Sequence, residues 1–223
     1  MRSRPAAAAQ TYSNQFRMAI YDFGAASDSI GLRALFSLSS SLTSAKTAAS
    51  NIDLMGVHGN NDAYTNDLDT PFSTVLPAIT KLISTSGAGT SSSPAKYLFF
   101  VSDGLADEDN ASCLKPIKIT KGGMSRCQSP IDPALCKTLK DNTVKIAVLY
   151  TTYLELPGND WYMTWIDPFN QGPFGPSLKS EVALKMTKCA SPGLYFEVSP
   201  SQGISEAMNA LFAKAIADAR IAG

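Results

Sequence analysis

The stretch KYLFFVSDG, residues 96–104, decides how this 223-residue chain reads. Its core, YLFFV, is an unbroken run of aromatic and branched side chains. Such a run suits a strand covered on both faces, as in a parallel sheet flanked by helices. It stops in Ser-Asp-Gly, good turn chemistry that leaves Asp103 at the carboxyl end of the strand. Open α/β sheets place their ligand crevices at that end. VKIAVLYTT, residues 144–152, is a second run of the same kind, and residues 194–198 form a short third one. Between them, residues 131–139, led by Asp132-Pro133, and residues 178–186 read as helices. Ile204 to Ile221 reads as a long amphipathic helix built on Ile204, Met208, Leu211, Phe212 and Ile216. Strand alternating with helix predicts an α/β domain with a largely parallel sheet covered on both faces.

Upstream, FRMAIYDF at residues 16–23 reads as a strand followed by a turn, and residues 35–38 as a weaker strand. Residues 42–54 have helical spacing and a loop follows at 56–61. In residues 70–83, Phe72, Val75, Leu76, Ile79, Leu82 and Ile83 recur every three or four positions, one apolar helical face with Pro71 in the first turn. GAGTSSSP, residues 87–94, is a connector. Two segments decorate the core: 105–130, with polar turn clusters and two cysteines, and 154–176, a loop rich in aromatic residues.

Composition narrows the function classes. Nineteen basic and nineteen acidic residues cancel, so the chain lacks the basic field that nonspecific nucleic-acid binding uses. Charged residues make up 17 % against about 25 % in typical domains, with Ser, Thr and Ala in their place, a pattern of exported bacterial proteins. The longest apolar stretches fall far short of the ~18 residues of a membrane-spanning helix. Four alanines after MRSRP do not make the apolar segment of a signal peptide and read as the end of a helix. Cys113, Cys127, Cys136 and Cys189 form an even set, which favours two disulfides in an oxidising compartment over free thiols. Zinc is the third alternative, disfavoured because no Cys-x2–4-Cys pair occurs.

Asp103 is the leading candidate functional side chain, with a turn cap as the plain alternative. Asp107, Glu108 and Asp109 could hold a hard cation through oxygen ligands, but such clusters more often form a solvated loop. His58 is the single histidine and has no Gly-x-Ser-x-Gly companion, so it reads as a polar loop residue. GAGTSSS lacks the Gly-Lys-Ser/Thr of a phosphate-binding loop. Trp161, Tyr162, Trp165 and Phe169 read as packing for their loop rather than as a binding surface.

Several segments together carry a family resemblance. FRMAIYDF, NDAYTNDLDT, KYLFFVSDG, SPIDPALCKTLK, VKIAVLYTTYLELP and KCASPGLYFEVSPSQGISEAMNALF resemble the von Willebrand factor type A-like domain of TadG-type (TadE/TadG-like) pilus-assembly proteins. The resemblance spans most of residues 1–223, which it makes a single domain with insertions at 105–130 and 154–176. It is most specific in IAVLYTTYLELP and CASPGLYFEV.

The resemblance implies a doubly wound, mostly parallel, Rossmann-like sheet and a metal-ion-dependent adhesion site. In that site Asp103 would be the late Asp and Thr65 the loop Thr, with Thr70 a weaker substitute. The Asp-x-Ser-x-Ser motif is missing, and Asp28-Ser29 does not continue it. The family's first strand lies between its second and fourth, so the central strand is expected to be absent here. Three accounts are open: a fragment with Met1 an internal methionine, which is favoured; direct closure of the flanking strands; or a slot filled by another segment or chain. Asp103, Thr65 and water are too few oxygens to hold Mg²⁺ firmly, so weak or no binding is expected of this chain, and Mg²⁺ of a full-length one.

The expected function is therefore a noncatalytic binding or scaffold module in pilus assembly or adhesion. It would act on the periplasmic side of the bacterial envelope, with an upstream inner-membrane anchor and a pilus or envelope protein as partner. The alternatives are a hydrolase using His58 with a carboxylate such as Asp62, and a purely structural envelope domain. Cys113 is expected to pair with Cys127 inside the insertion, and Cys136 with Cys189 between neighbouring helices.

Overall fold

A computed structural model describes residues 15–24, 31–53, 70–109, 116–118, 125–171, 180–199 and 203–221. In chain order the elements are β1 (Met18–Asp22), β2 (Arg33–Ser39), α1 (Leu42–Ser50), α2 (Phe72–Leu82), β3 (Tyr97–Ser102), β4 (Leu105–Asp109), β5 (Pro116–Lys118) and β6 (Ser125–Pro130). They continue as α3 (Ala134–Asp141), β7 (Lys145–Thr151), a π-helical turn (Tyr162–Ile166) leading into α4 (Asp167–Asn170), α5 (Glu181–Cys189), β8 (Tyr195–Val198) and α6 (Ile204–Ile221).

The fold is mixed α/β around a three-stranded parallel sheet in the order β3-β7-β8. The central strand β7 explains why the sheet is covered on both faces. Its residues Ile146 to Tyr150 are at most 1 % exposed, and successive side chains point to opposite faces. Ile146, Val148 and Tyr150 enter a core with Phe72, Leu76 and Ile79 of α2, Leu139 of α3, and Val182 and Met186 of α5. Ala147 and Leu149 enter a second core with Leu194, Val198 and Leu211 of α6. Each fully buried branched side chain contributes roughly 1.5–3 kcal/mol relative to exposure. On the first face Cys136 of α3 and Cys189 of α5 are joined by a disulfide, with their Cα atoms 5.3 Å apart.

Among the described residues parallel pairing is confined to that sheet, and the other two sheets are antiparallel. β1 and β2 pair antiparallel, with Arg33 Nε donating to Asp22 Oδ1 at 2.9 Å across the pair. The segment 105–130 is likewise no string of turns. Its described parts build an antiparallel sheet in the order β4-β6-β5. Gly104, with φ +74°, turns β3 directly into β4, whose Leu105, Ala106 and Glu108 are buried. The segment 154–176 also carries helix, the π-turn and α4, where Tyr162 and Phe169 are buried while Trp161 stays 41 % exposed.

Helix starts shift for local reasons. Asp132 Oδ1 accepts the Ala134 N–H at 2.9 Å, so α3 begins at Ala134. The Ser180 hydroxyl accepts the Ala183 N–H at 3.1 Å and starts α5 at Glu181. Pro71 is the N-cap of α2 rather than part of its first turn.

Phe23, just after β1, has its ring 6.0 Å from that of Phe72 on α2 and 6.4 Å from that of Phe100 on β3. Phe16, just before β1, has its ring 6.4 Å from that of Phe212 on α6, which in turn lies 5.8 Å from the ring of Phe99. The residues flanking β1 thus touch helices on both faces of the parallel sheet, while β1 itself shares no ladder with β3.

Candidate functional site

Asp103 follows directly on β3, in the turn that the sequence placed there. Ser102 Oγ accepts the Gly104 N–H at 3.0 Å and Asp103 Oδ1 accepts the Leu105 N–H at 3.2 Å. A Cβ at position 104 would stand 2.6 Å from Met186 Cγ and 2.9 Å from Val182 Cγ1, so α5 closes on the turn where glycine leaves room. The carboxyl group borders a crevice of about 410 Å³ whose lining includes Thr152, Tyr153, Leu154, Leu156 and Ile204. This is the carboxyl end of the parallel strands, the place where such sheets offer ligand sites. Leu154 and Leu156 are exposed on its apolar rim.

The electrostatics here are those of a desolvated acid. Burial pushes Asp103 above the usual carboxylate range, against the opposing pull of hydrogen bonds from the Leu105 amide and the Tyr153 hydroxyl. Tyr153 is pushed well above an ordinary phenol, first by burial and then by the charge of Asp103. Tyr150, one residue before the carboxyl end of β7, is pushed up to about 12, chiefly by burial. Its hydroxyl is buried near Ser180 without a hydrogen bond of normal geometry. The Asp103 carboxyl is thus flanked by phenols that hold their protons.

A divalent cation at Asp103 requires several oxygen ligands. The described neighbours instead aim an N–H and an O–H at the carboxylate, and no group of three or more His, Cys, Asp or Glu gathers among the described residues. The described donor set does not fit a resident cation. Thr65, the loop Thr of the family resemblance, lies outside the described residues, as do His58, Asp62, Asp28, Ser29 and residues 1–10. Thr70 is described and sits elsewhere, in a two-way backbone bridge with Asp107 at 3.2 Å each way.

The acidic cluster is corrected from a solvated loop to part of β4. Glu108 is only 7 % exposed, and its Oε2 accepts from the N–H and hydroxyl of Ser73 at the start of α2. Gln128 on β6 donates to Asp107 Oδ2 at 3.3 Å and accepts from Trp161 Nε1 at 2.8 Å. Trp161 is therefore fastened to the antiparallel sheet while part of its ring stays in solvent. Cys127 is also disulfide-bonded; its expected partner Cys113 lies outside the described residues. Sequence reasoning missed Tyr153, Gln128 and the capping role of Glu108. Of these only Tyr153 left a signal, as a polar aromatic just past the second apolar strand, level with Asp103.

No protein-family model, curated protein or solved structure matches the chain.

Proposed function

We propose that the chain is a noncatalytic binding or scaffold module of the bacterial envelope, of the von Willebrand A type of TadG-like pilus-assembly proteins, with a degenerate metal-ion-dependent adhesion site. The observation that carries this reading is Asp103 at the carboxyl end of β3, bordering an apolar-rimmed crevice and surrounded by hydrogen-bond donors. On this reading β1 and β2 are the family's second and third strands, and β3, β7 and β8 its fourth, fifth and sixth. The doubly wound sheet is then interrupted at its centre. The low charge and the Cys136–Cys189 disulfide support the periplasmic side of the envelope as its location. An anchor in the inner membrane would belong to a longer form of the protein. This chain binds Mg²⁺ weakly or not at all, and its partner is a pilus or envelope protein that docks at the crevice.

A photo-crosslinking amino acid at Leu154, on the crevice rim, tests the reading, with the same group at Lys81 on α2 as the control. The expected result is a crosslinked pilus or envelope component from position 154 only. Equal capture from both positions, capture of cytosolic proteins alone, or turnover on a panel of ester and phosphoester substrates would overturn it. So would micromolar Mg²⁺ affinity in calorimetry that vanishes in Asp103→Ala.

A further inference from the structure

A second concavity lies at the amino end of the parallel strands, the opposite end of the sheet from Asp103. This cleft of about 400 Å³ is walled by Lys140 in the last turn of α3, by Lys145 at the start of β7, and by Ser191, Pro192 and Leu194 ahead of β8. Its walls are tied together. Lys140 Nζ donates to the Lys188 C=O at 2.6 Å, which joins the ends of α3 and α5. Ser191 Oγ accepts the Ile146 N–H at 2.9 Å, and the Ser191 N–H donates to the Ile146 C=O at 2.8 Å. Thr143, also on the wall, holds a φ of +58°, rare for a β-branched residue, and its hydroxyl donates to the Ser86 C=O at 3.2 Å.

The charge here is one-sided. Lys145 Nζ lies 5.5 Å from the centroid of the Tyr97 ring. Lys214 Nζ, on α6, stands 3.2 Å from where a Cβ on Gly193 would be, between the lining residues Pro192 and Leu194. Lys188 is exposed beside them. Among the described residues no carboxylate lines the cleft, and none of these four lysines has an acidic partner. Asp141, next to Lys140 in sequence, is taken up by Lys137 at 2.6 Å. The chain as a whole has zero net charge, yet this end of it is positive. Lys140 and Lys188 stand in last turns, where a cation offsets the helix dipole. Lys145 begins a strand and Lys214 lies about two turns before the end of α6, so helix ends do not account for the set.

The cleft offers donors. An ammonium has three N–H groups, of which Lys140 gives one to Lys188, and the Ser191 hydroxyl accepts from Ile146 while keeping its own proton to donate. Ammoniums are point charges that suit a tetrahedral dianion, whereas the flat two-pronged fit to a carboxylate belongs to arginine, and no described arginine lines this cleft.

We propose that this cleft binds a phosphate group, held by Lys140, Lys145 and the Ser191 hydroxyl, with Pro192 offering apolar surface to the organic part that carries it. The phosphate is that of a lipid headgroup or of a soluble phosphate ester. The inference goes beyond the binding-module reading because it uses the opposite end of the sheet and holds whatever docks at Asp103.

NMR titration of the isotope-labelled chain with inorganic phosphate, at ionic strength held constant with sodium chloride, tests it. Saturable shifts are expected at the amides of Lys145, Ile146, Ser191 and Gly193. Lys140→Gln with Lys145→Gln weakens binding by about tenfold or more. Lys46→Gln with Lys185→Gln removes the same charge from α1 and from the middle of α5 and leaves binding unchanged. Because Lys140 also ties α3 to α5, Lys145→Gln alone is measured beside the pair; its ammonium makes no hydrogen bond among the described residues, and its loss weakens binding in the same direction. Sedimentation with phosphatidylglycerol vesicles, absent with phosphatidylcholine vesicles and in the Lys140→Gln, Lys145→Gln chain, assigns the phosphate to a lipid. Shifts with glycerol phosphate and no sedimentation assign it to a soluble ester, and either source supports the site. Three results would overturn the proposal: no saturable shift, equal weakening by the Lys46→Gln, Lys185→Gln pair, or tighter binding of a hexaglutamate peptide than of phosphate and vesicles alike, which would make this a surface for an acidic polypeptide.

Discussion

Glu108 on β4 caps the start of α2 from 35 positions further along the chain: its Oε2 accepts the Ser73 N–H at 3.0 Å and the Ser73 hydroxyl at 2.5 Å. The N-cap residue of α2, Pro71, makes no side-chain bond to the helix, so a strand supplies what the helix's own sequence does not. A buried carboxylate here also meets the positive end of the helix dipole. Glu108→Ala is expected to destabilise the fold by about 2 kcal/mol, and Glu108→Gln by about half as much. Ser73→Ala combined with Glu108→Ala in a double-mutant cycle under urea should show a coupling on the order of 1 kcal/mol. Additive losses would mean that the two residues act independently.

The Cys136–Cys189 disulfide closes a loop across 53 positions. Chain entropy alone assigns such a closure about 4 kcal/mol, through restriction of the unfolded ensemble. Cys136→Ala with Cys189→Ala should lower the midpoint of urea unfolding by that equivalent, with the native far-ultraviolet circular dichroism retained. A change below about 1 kcal/mol would mean that packing of α3 on α5 already fixes the loop.

Asp103 gives a pH dependence of unusual sign. Its folded-state pKa is raised by burial, so the native chain holds this proton more tightly than the unfolded one. Stability contributed at this site is full below the ordinary carboxylate pKa and falls as pH rises through the raised value. Asp103→Asn keeps an oxygen for the Leu105 N–H and removes the buried charge. The variant should melt at or above the wild-type temperature at neutral pH and lose that advantage on acidification to about pH 3. A variant markedly less stable than wild type at neutral pH would refute this account.

Gly104→Ala faces two penalties at once. The positive φ costs about 1–2 kcal/mol for any residue with a Cβ, and that Cβ would press on Met186 and Val182. A loss of about 3 kcal/mol in chemical denaturation is expected. Gly158, where a Cβ would meet nothing within 4 Å, serves as the tolerant control.

Tyr150→Phe removes a buried hydroxyl that has no partner of normal geometry. The substitution is expected to be neutral or stabilising by up to about 1 kcal/mol. It should also remove the part of alkaline destabilisation that begins near pH 10, because the unfolded phenol ionises there while the native one is pushed up to about 12.

The parallel sheet was legible because its signal is local. An apolar run bounded by turn residues marks β3 and β7 in the primary structure, and the period of α6 locates that helix at the residues it occupies. Asp103 was legible for the same reason, since a strand end can be read without knowing what packs there. The segment 105–130 was not. Its strand β4 reads Leu-Ala-Asp-Glu-Asp, whose burial depends on α2 arriving from elsewhere, so Glu108 looks like any surface acid until Ser73 is placed beside it. Tyr153 follows the same logic, because its partnership with Asp103 exists only once β3 and β7 lie side by side in register.

β7 belongs to both cores at once, with Ile146, Val148 and Tyr150 turned to one and Ala147 and Leu149 to the other. Neither helical layer can come away without stripping a face of the same strand. The two layers are thus coupled mechanically as well as by sequence order, and heat should melt them in one cooperative step whose enthalpy is the same by calorimetry and by van't Hoff analysis.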